Sequence, residues 1–555
     1  MNLRYLSFVA AWLVLMQSTS NAQVVADEEI RNILRERVDD RKQSVGIVVG
    51  VLEPQGTRVI AYGKLENNDS RTLNGDTVFE IGSMGKVFTA LLLADMAHKG
   101  EVKLDDSIAK YLPATVKAPK PNEKSITLID LATHTSGLPR LPTNLSPRDP
   151  ANPYADYTVK QLYDFLSSYE LTRDIGSSYE YSNLGAGLLG HILALRAATD
   201  YESLVKSRIS VPLGMASTTI SLPPALSARL AVGHDASLQR VANWDMPTLA
   251  GAGALRSTVN DMLKFLAANL GYGKSEVSEA MVAMLHVRRP TGDANSKVAL
   301  GWQVLKTNKG EIVWHNGGTG GYRSIMSMDL RMKTGVVVLS NAAIGVEDIA
   351  HHLVDPSVPL TPAPRQHKEV SVDPKLFDKY VGQYEILPKY IFTVTLEGNR
   401  LMGQATGTAK GQLFPEGERE FFSKLADMQF LFLTDQAGKA TQVTIRQQGR
   451  DTVARRLDVP VPERKEVAIA IEMLDRYVGQ YQLAPNFVLT VTRSGNELAV
   501  QATGQSSVPV YATSEKEFFY KVVDAQITFN VDASGKTTGL VLHQNGRDVP
   551  AKRIE

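Results

Sequence analysis

The sequence predicts an α+β domain followed by two small all-β barrels. Three observations carry this. β-branched strands stand at both ends of the first part, with a mostly helical stretch between them. That order builds one sheet from both ends of a domain, with helices packed on it. A Pro-rich segment then interrupts the chain. Beyond it, one pattern of short alternating strands occurs twice. The expected divisions are a signal peptide at 1–22, a first domain at 23–355, a linker at 356–371, and barrels at 372–459 and 460–555.

In chain order, Arg4 supplies a positive start and Leu6 to Met16 an apolar run too short to span a bilayer. Ser20-Asn21-Ala22 places small residues where a signal peptidase cuts, before Gln23. Asp27 to Arg41 has helical spacing, with Ile30, Ile33, Leu34 and Val38 on one face. Val45 to Leu52 and Thr57 to Tyr62 read as a strand pair around the Pro54-Gln55-Gly56 turn. A long apolar helix follows Ser83 and stops at Gly100. A short helix is expected from Leu104-Asp105-Asp106, another within Thr127 to Pro139, and longer ones over Thr158 to Ser168 and Ser182 to Ala197. Glu311 to Trp314, Ser324 to Leu330 and Gly335 to Ser340 read as strands.

Past the prolines of 356–364 the repeat begins. FDKYVGQY at Phe377 returns as LDRYVGQY at Leu474, and Gln404-Ala405-Thr406-Gly407 returns at Gln501. Glu420-Phe421-Phe422 and Gly449-Arg450-Asp451 also recur, always 97 residues later. Two long copies make tandem domains rather than a solenoid, with Pro460 and Pro462 opening the link between them.

Composition narrows the function. A net charge of +1 gives no global field for nucleic acid or membrane surface. There is no cysteine, so no disulfide, thiolate metal site or catalytic thiol exists. The histidines form no H-E-x-x-H, and neither metal nor cofactor is expected. Export without cysteine fits a bacterial periplasm.

The chemistry centres on Ser83 and Lys86. Three residues apart on a helix, they face the same way, and a serine becomes nucleophilic when an amine beside it takes its proton. Alone, this spacing more often describes a capping serine and a solvated lysine. Two more signals follow in order: Tyr181-Ser182-Asn183 before a helix, and His315-Asn316-Gly317-Gly318 on or after a strand.

S-x-x-K, Y-x-N and a basic residue with x-G resemble the three-part signature of the penicillin-recognising serine hydrolases. Residues 27 to about 350 resemble the class C β-lactamase and DD-peptidase family through VFEIGSMGKVFTALLL, LATHTSGLPR, YEYSNLGAGLLG, VPLGM, AGALRST and WHNGGTGGYRS. The repeats are similar to lipocalin-like barrels appended to some of these hydrolases. The resemblance implies an antiparallel sheet flanked by helices plus an α-helical region. It also implies Ser83 as the acylated nucleophile, Lys86 as its base and Tyr181 as the proton carrier to the leaving nitrogen. Asn183, His315 and Gly317 would bind substrate, and the N–H groups of Ser83 and Gly318 would form the oxyanion hole. For Asn183 a helix N-cap is the alternative.

His315 departs from the class C pattern, which has lysine there. A histidine is charged only below about pH 6.5 unless shifted, so carboxylate recognition is open. Arg323 is read as a surface arginine, with carboxylate binding as the alternative, and His134 as structural. The sequence thus predicts an exported hydrolase acting on a small peptide, peptidoglycan fragment or β-lactam. A D-aminopeptidase or carboxylesterase with little β-lactam activity is the rival within the class, and a non-catalytic ligand-binding protein the rival outside it. The barrels would restrict the cleft to short substrates, or serve stability or oligomer contact. No nucleic acid partner and no membrane after signal cleavage are expected, and the oligomeric state is open.

Overall fold

The computed structural model describes residues 25–554 apart from 67–68, 121–123, 172, 364–366, 388–389, 407–409, 425–427, 448–449, 459–465, 485–486, 504–506, 521–524 and 545–546. The expected signal peptide and the prolines opening the second link therefore lie outside the described residues. Among those described, no helix is long and apolar enough to cross a membrane.

The sheet of the first domain does draw on both ends of the sequence. Its strands are β1 (Gly46–Glu53) and β2 (Gly56–Gly63) from the start. The isolated pair β3 (Phe79–Glu80) and β4 (Arg256–Ser257) stands apart from it. From the end come β5 (Arg289–Pro290), β6 (Ser296–Val298), β7 (Gln303–Lys306), β8 (Glu311–Gly318), β9 (Arg323–Asp329) and β10 (Thr334–Ser340). The order is β2-β1-β10-β9-β8-β7-β6-β5, antiparallel throughout.

Side chains alternate across a strand, and both faces of this sheet are covered. Ile47, Val49 and Val51 of β1 face α1 (Asp27–Arg35) and the helix Glu347–Val354. Val48 and Leu52 join the larger core on the opposite face. There Gly50 lets the helix Val259–Asn269 approach, for a Cβ would meet Val259 at 2.5 Å. Ile30, Ile33, Leu34 and Val38 are buried as the spacing predicts, although α1 loosens into a π-helical turn over Glu36–Asp40.

The centre of the larger core is α2 (Gly85–His98), which is buried on every side from Gly85 to Met96. Such a helix has no solvent face to give it amphipathic spacing. Around it lie α3 (Leu128–Ala132), α4 (Val159–Ser168) and α5 (Asn183–Arg196). The helix expected from Leu104 is a turn instead. Among the described residues nearby, the helical ones are a 3-10 turn, Ile108–Lys110, capped by Ser107. Asp106 accepts from Lys103 N–H, Lys110 and Tyr111, so it fastens a turn rather than starting a helix.

Each repeat closes into an eight-stranded barrel. Every strand of the second begins 97 residues after its counterpart, from Gly382 and Gly479 through Arg450 and Arg547. Both interiors are filled by apolar and aromatic side chains, including the matched Tyr380 with Phe432 and Tyr477 with Phe529. Part of the Pro-rich segment lies on the first domain: Val358 and Leu360 pack against it, and Thr361 bonds Arg41 and Asp348.

Candidate active site

Ser83 sits half-buried in a 3-10 turn, Gly82–Met84, that leads from β3 into α2. The turn needs bare backbone. Gly82 has φ +49°, and a Cβ on it would lie 2.7 Å from the Gly318 nitrogen. A Cβ on Gly317 would collide with the Ile81 carbonyl, which Ser324 holds by a 2.8 Å hydrogen bond. Gly317 is therefore small because the nucleophile turn packs on it, while Gly318 is placed beside the backbone that precedes Ser83.

One turn into α2, the Lys86 amine is 2.8 Å from Ser83 Oγ, 2.9 Å from Asn183 Oδ1 and 2.7 Å from the Ala252 carbonyl. Lys86 is 3% exposed. Burial, then the nearby Arg140 charge, hold its pKa well below the ordinary lysine value. In its neutral form the amine has two N–H bonds and one lone pair. The two carbonyl oxygens can only accept, so they take both N–H bonds. The lone pair is left for the Ser83 hydroxyl.

Tyr181 meets the same hydroxyl by a side-chain hydrogen bond. Its own pKa is pushed up, chiefly by burial, so it remains a neutral phenol. Lys86 Nζ lies 4.8 Å from its ring centroid. The N-cap of α5 is Ser182, whose hydroxyl accepts from Gly185 N–H at 2.8 Å, which frees the Asn183 side chain for Lys86.

His315, on β8, is 2% exposed, with its ring 6.5 Å from that of Tyr181. Burial above all pushes its pKa down, to about 3. Its Nδ1 is 2.6 Å from the Asn316 carbonyl, which fixes the proton on Nδ1 and leaves Nε2 an acceptor. His134 is neutral for the same reason, but in the other tautomer. Burial, followed by Lys86, His315 and Arg140, lowers its pKa, and its Nδ1 accepts Ser182 N–H at 3.1 Å. It holds the turn carrying Tyr181, whose ring is 4.6 Å from its own. A φ of +57° after α3 aims the ring inward.

The Beta-lactamase family profile matches residues 30–354. The chain belongs to the Beta-lactamase family. A domain of unknown function, DUF3471, matches twice, at 366–456 and 463–553. Over 367 residues the chain is 28% identical to the D-alanyl-D-alanine-carboxypeptidase/endopeptidase AmpH of Escherichia coli K12, covering 61% of this chain and 93% of that protein. Penicillin-binding protein 4* of Bacillus subtilis is 26% identical over 424 residues, covering 70% of this chain and 91% of that protein. Among solved structures, a class C β-lactamase from Rhodobacter sphaeroides superposes with TM-score 0.52 at 26% identity, covering 60% of this chain and 98% of that one. A β-lactamase/D-alanine carboxypeptidase from Yersinia pestis complexed with citrate gives TM-score 0.52 at 24% identity, covering 61% and 98%, and shows the shared fold. The chain is a serine hydrolase of this family.

Sequence reasoning missed three parts of this Beta-lactamase-family site. Ala252 contributes a backbone carbonyl, which no residue type announces, although it lies in the AGALRST phrase. Arg140 ends the LATHTSGLPR phrase and acts on Lys86, His134 and Tyr181. Tyr154 carries no motif of its own and meets Asn183 Nδ2 at 3.5 Å. Arg323 is half-buried rather than a plain surface residue, with Nη1 donating to the Thr319 and Tyr322 carbonyls at 3.2 Å each.

Proposed function

We propose that this hydrolase is exported and forms an acyl-enzyme on Ser83 with amides of small D-amino-acid peptides or β-lactams. The observation that carries the reading is the buried Lys86 amine, 2.8 Å from Ser83 Oγ, 2.9 Å from Asn183 Oδ1 and 2.7 Å from the Ala252 carbonyl; in its neutral form it gives both N–H bonds to the two carbonyls and turns its lone pair to the hydroxyl. As Ser83 Oγ attacks the substrate carbonyl, its proton passes to Lys86. The carbonyl oxygen, now negative, is met by the N–H groups of Ser83 and Gly318, each such donor being worth about 3 kcal/mol. Tyr181 passes its phenol proton to the leaving nitrogen, the C–N bond breaks, and the Lys86 ammonium returns a proton to the tyrosine. Asn183 binds the substrate amide and holds Lys86. Substrate lies along β8, past His315 and Gly317.

The charges around the site favour a substrate with a carboxylate. With Lys86, His134 and His315 uncharged, the charge left beside them is the Arg140 guanidinium. A D-aminopeptidase must seat an ammonium group, which this field repels. The relatives named for D-alanyl-D-alanine carboxypeptidase and penicillin-binding activities fit the same choice. The test is to supply acetyl-D-alanyl-D-alanine, D-alanine p-nitroanilide and a neutral p-nitrophenyl ester side by side. Release of free D-alanine from the first, lost in Ser83→Ala, supports a DD-peptidase. Turnover of only the second or third overturns it in favour of the aminopeptidase or esterase.

A further inference from the structure

We propose that Arg140 receives the free carboxylate of the substrate, so that the site selects acyl donors bearing a carboxylate next to the scissile amide. The inference rests on the reading of Ser83 as the acylated nucleophile. Its starting point is the neutral His315: with its proton directed to the Asn316 carbonyl, that ring offers a bare nitrogen where a carboxylate needs a donor. The charge must come from elsewhere.

Arg140 is exposed, and its guanidinium carbon lies 5.2 Å from the centroid of the Tyr181 ring. A guanidinium over an aromatic face keeps its N–H fork free at the edge, in the geometry a carboxylate takes. Other arginines near the site are already engaged. Arg173 pairs with Glu180, Arg256 with Glu80 and Arg289 with Asp130, and Arg323 donates to two carbonyls. Among the described residues, no carboxylate pairs with Arg140.

The residue is also held in place by its own backbone. The Arg140 carbonyl accepts Asn183 N–H at 3.0 Å and Leu184 N–H at 3.2 Å, while the Pro139 carbonyl accepts Ser182 Oγ at 2.7 Å. The start of α5, which carries Asn183, thereby fixes the loop backbone from which the guanidinium projects.

The test separates binding from turnover. In a Ser83→Ala background, acetyl-D-alanyl-D-alanine and its C-terminal amide are titrated calorimetrically. The acid is expected to bind roughly ten- to a hundred-fold more tightly than the amide. Adding Arg140→Gln erases that preference, and Arg140→Lys keeps part of it. Equal binding of acid and amide, a preference that survives Arg140→Gln, or equal weakening of both ligands would each overturn the proposal. If the Ser83-intact protein forms no acyl-enzyme with any donor, the catalytic reading fails, while the acid-to-amide ratio still reports on Arg140.

Discussion

The hydrolase domain and the barrels are filled with different materials. Beneath its surface the first domain holds Glu80, Lys86, Asp95, His134, Arg256 and His315. Among the described residues of the two barrels, the buried polar side chains are Gln429 and Thr537, beside tyrosines whose hydroxyls bond backbone carbonyls. Burying an ionisable group is costly unless it is paired or neutralised. The first domain bears that cost around Ser83, where neutral Lys86, His134 and His315 meet. The barrels avoid it: Tyr384 donates to the Tyr380 carbonyl at 2.6 Å, and 97 residues on Tyr481 donates to the Tyr477 carbonyl at 2.7 Å. Chemistry belongs to the region with the buried ionisable groups.

The largest effects come from breaking the first region. Ser83→Ala is expected to lower acylation by roughly 10⁴- to 10⁶-fold, as for other nucleophile deletions, measured by release of D-alanine or by penicillin labelling. Lys86→Arg keeps a long nitrogen-bearing side chain but places a permanently charged guanidinium that never becomes a base. Stopped acylation in a folded Lys86→Arg protein is the expected outcome. The wild-type acylation rate rises with pH through a pKa well below that of ordinary lysine and is flat near pH 9–10, where an unshifted lysine still titrates. A rate still climbing there contradicts the neutral amine.

Stability against pH sharpens the comparison further. His315 titrates at about 3 when folded and near 6.5 when unfolded. Below about pH 6.5 the unfolded chain takes a proton that the folded site refuses, so unfolding is favoured as pH falls. The loss approaches about 1.4 kcal/mol per pH unit and continues down to about pH 3. His351, pushed down to about 4 chiefly by burial, adds to the same slope. His315→Gln keeps a donor for the Asn316 carbonyl, and denaturant titrations between pH 7 and 4 should show a shallower slope for it. An unchanged slope would mean that His315 is not held neutral.

The smallest effects belong to the barrels. Tyr384→Phe and Tyr481→Phe each leave a buried carbonyl without its donor, at about 1–3 kcal/mol. Thermal unfolding should show similar losses for the two, with acylation unchanged. Unequal losses would show that the repeated geometry does not carry equal weight.

Much of this is legible in the sequence. Ser83, Lys86, Tyr181 and Asn183 converge because their motifs fix side chains on or beside helices, where spacing translates into direction. The constant offset of the repeat reappears as barrel strands in the same register. The strands β5–β7 were not foreseen, since runs of two to four residues such as Arg289–Pro290 are too short to show alternation. Asp106 misled because a helix-capping residue type also closes turns. Arg140 and Ala252 escaped notice because one looks like a surface cation and the other acts only through its backbone. The neutrality of His315 depends on burial, which no local pattern reveals.

The central claim is that Ser83 is acylated with help from a neutral Lys86, and intact mass after addition of benzylpenicillin tests it most directly. A single adduct that maps to the peptide containing Ser83, or penicillin hydrolysis passing through that adduct, is the predicted result, and both should vanish in Ser83→Ala and Lys86→Arg. An adduct or hydrolysis that persists in Ser83→Ala would contradict the account.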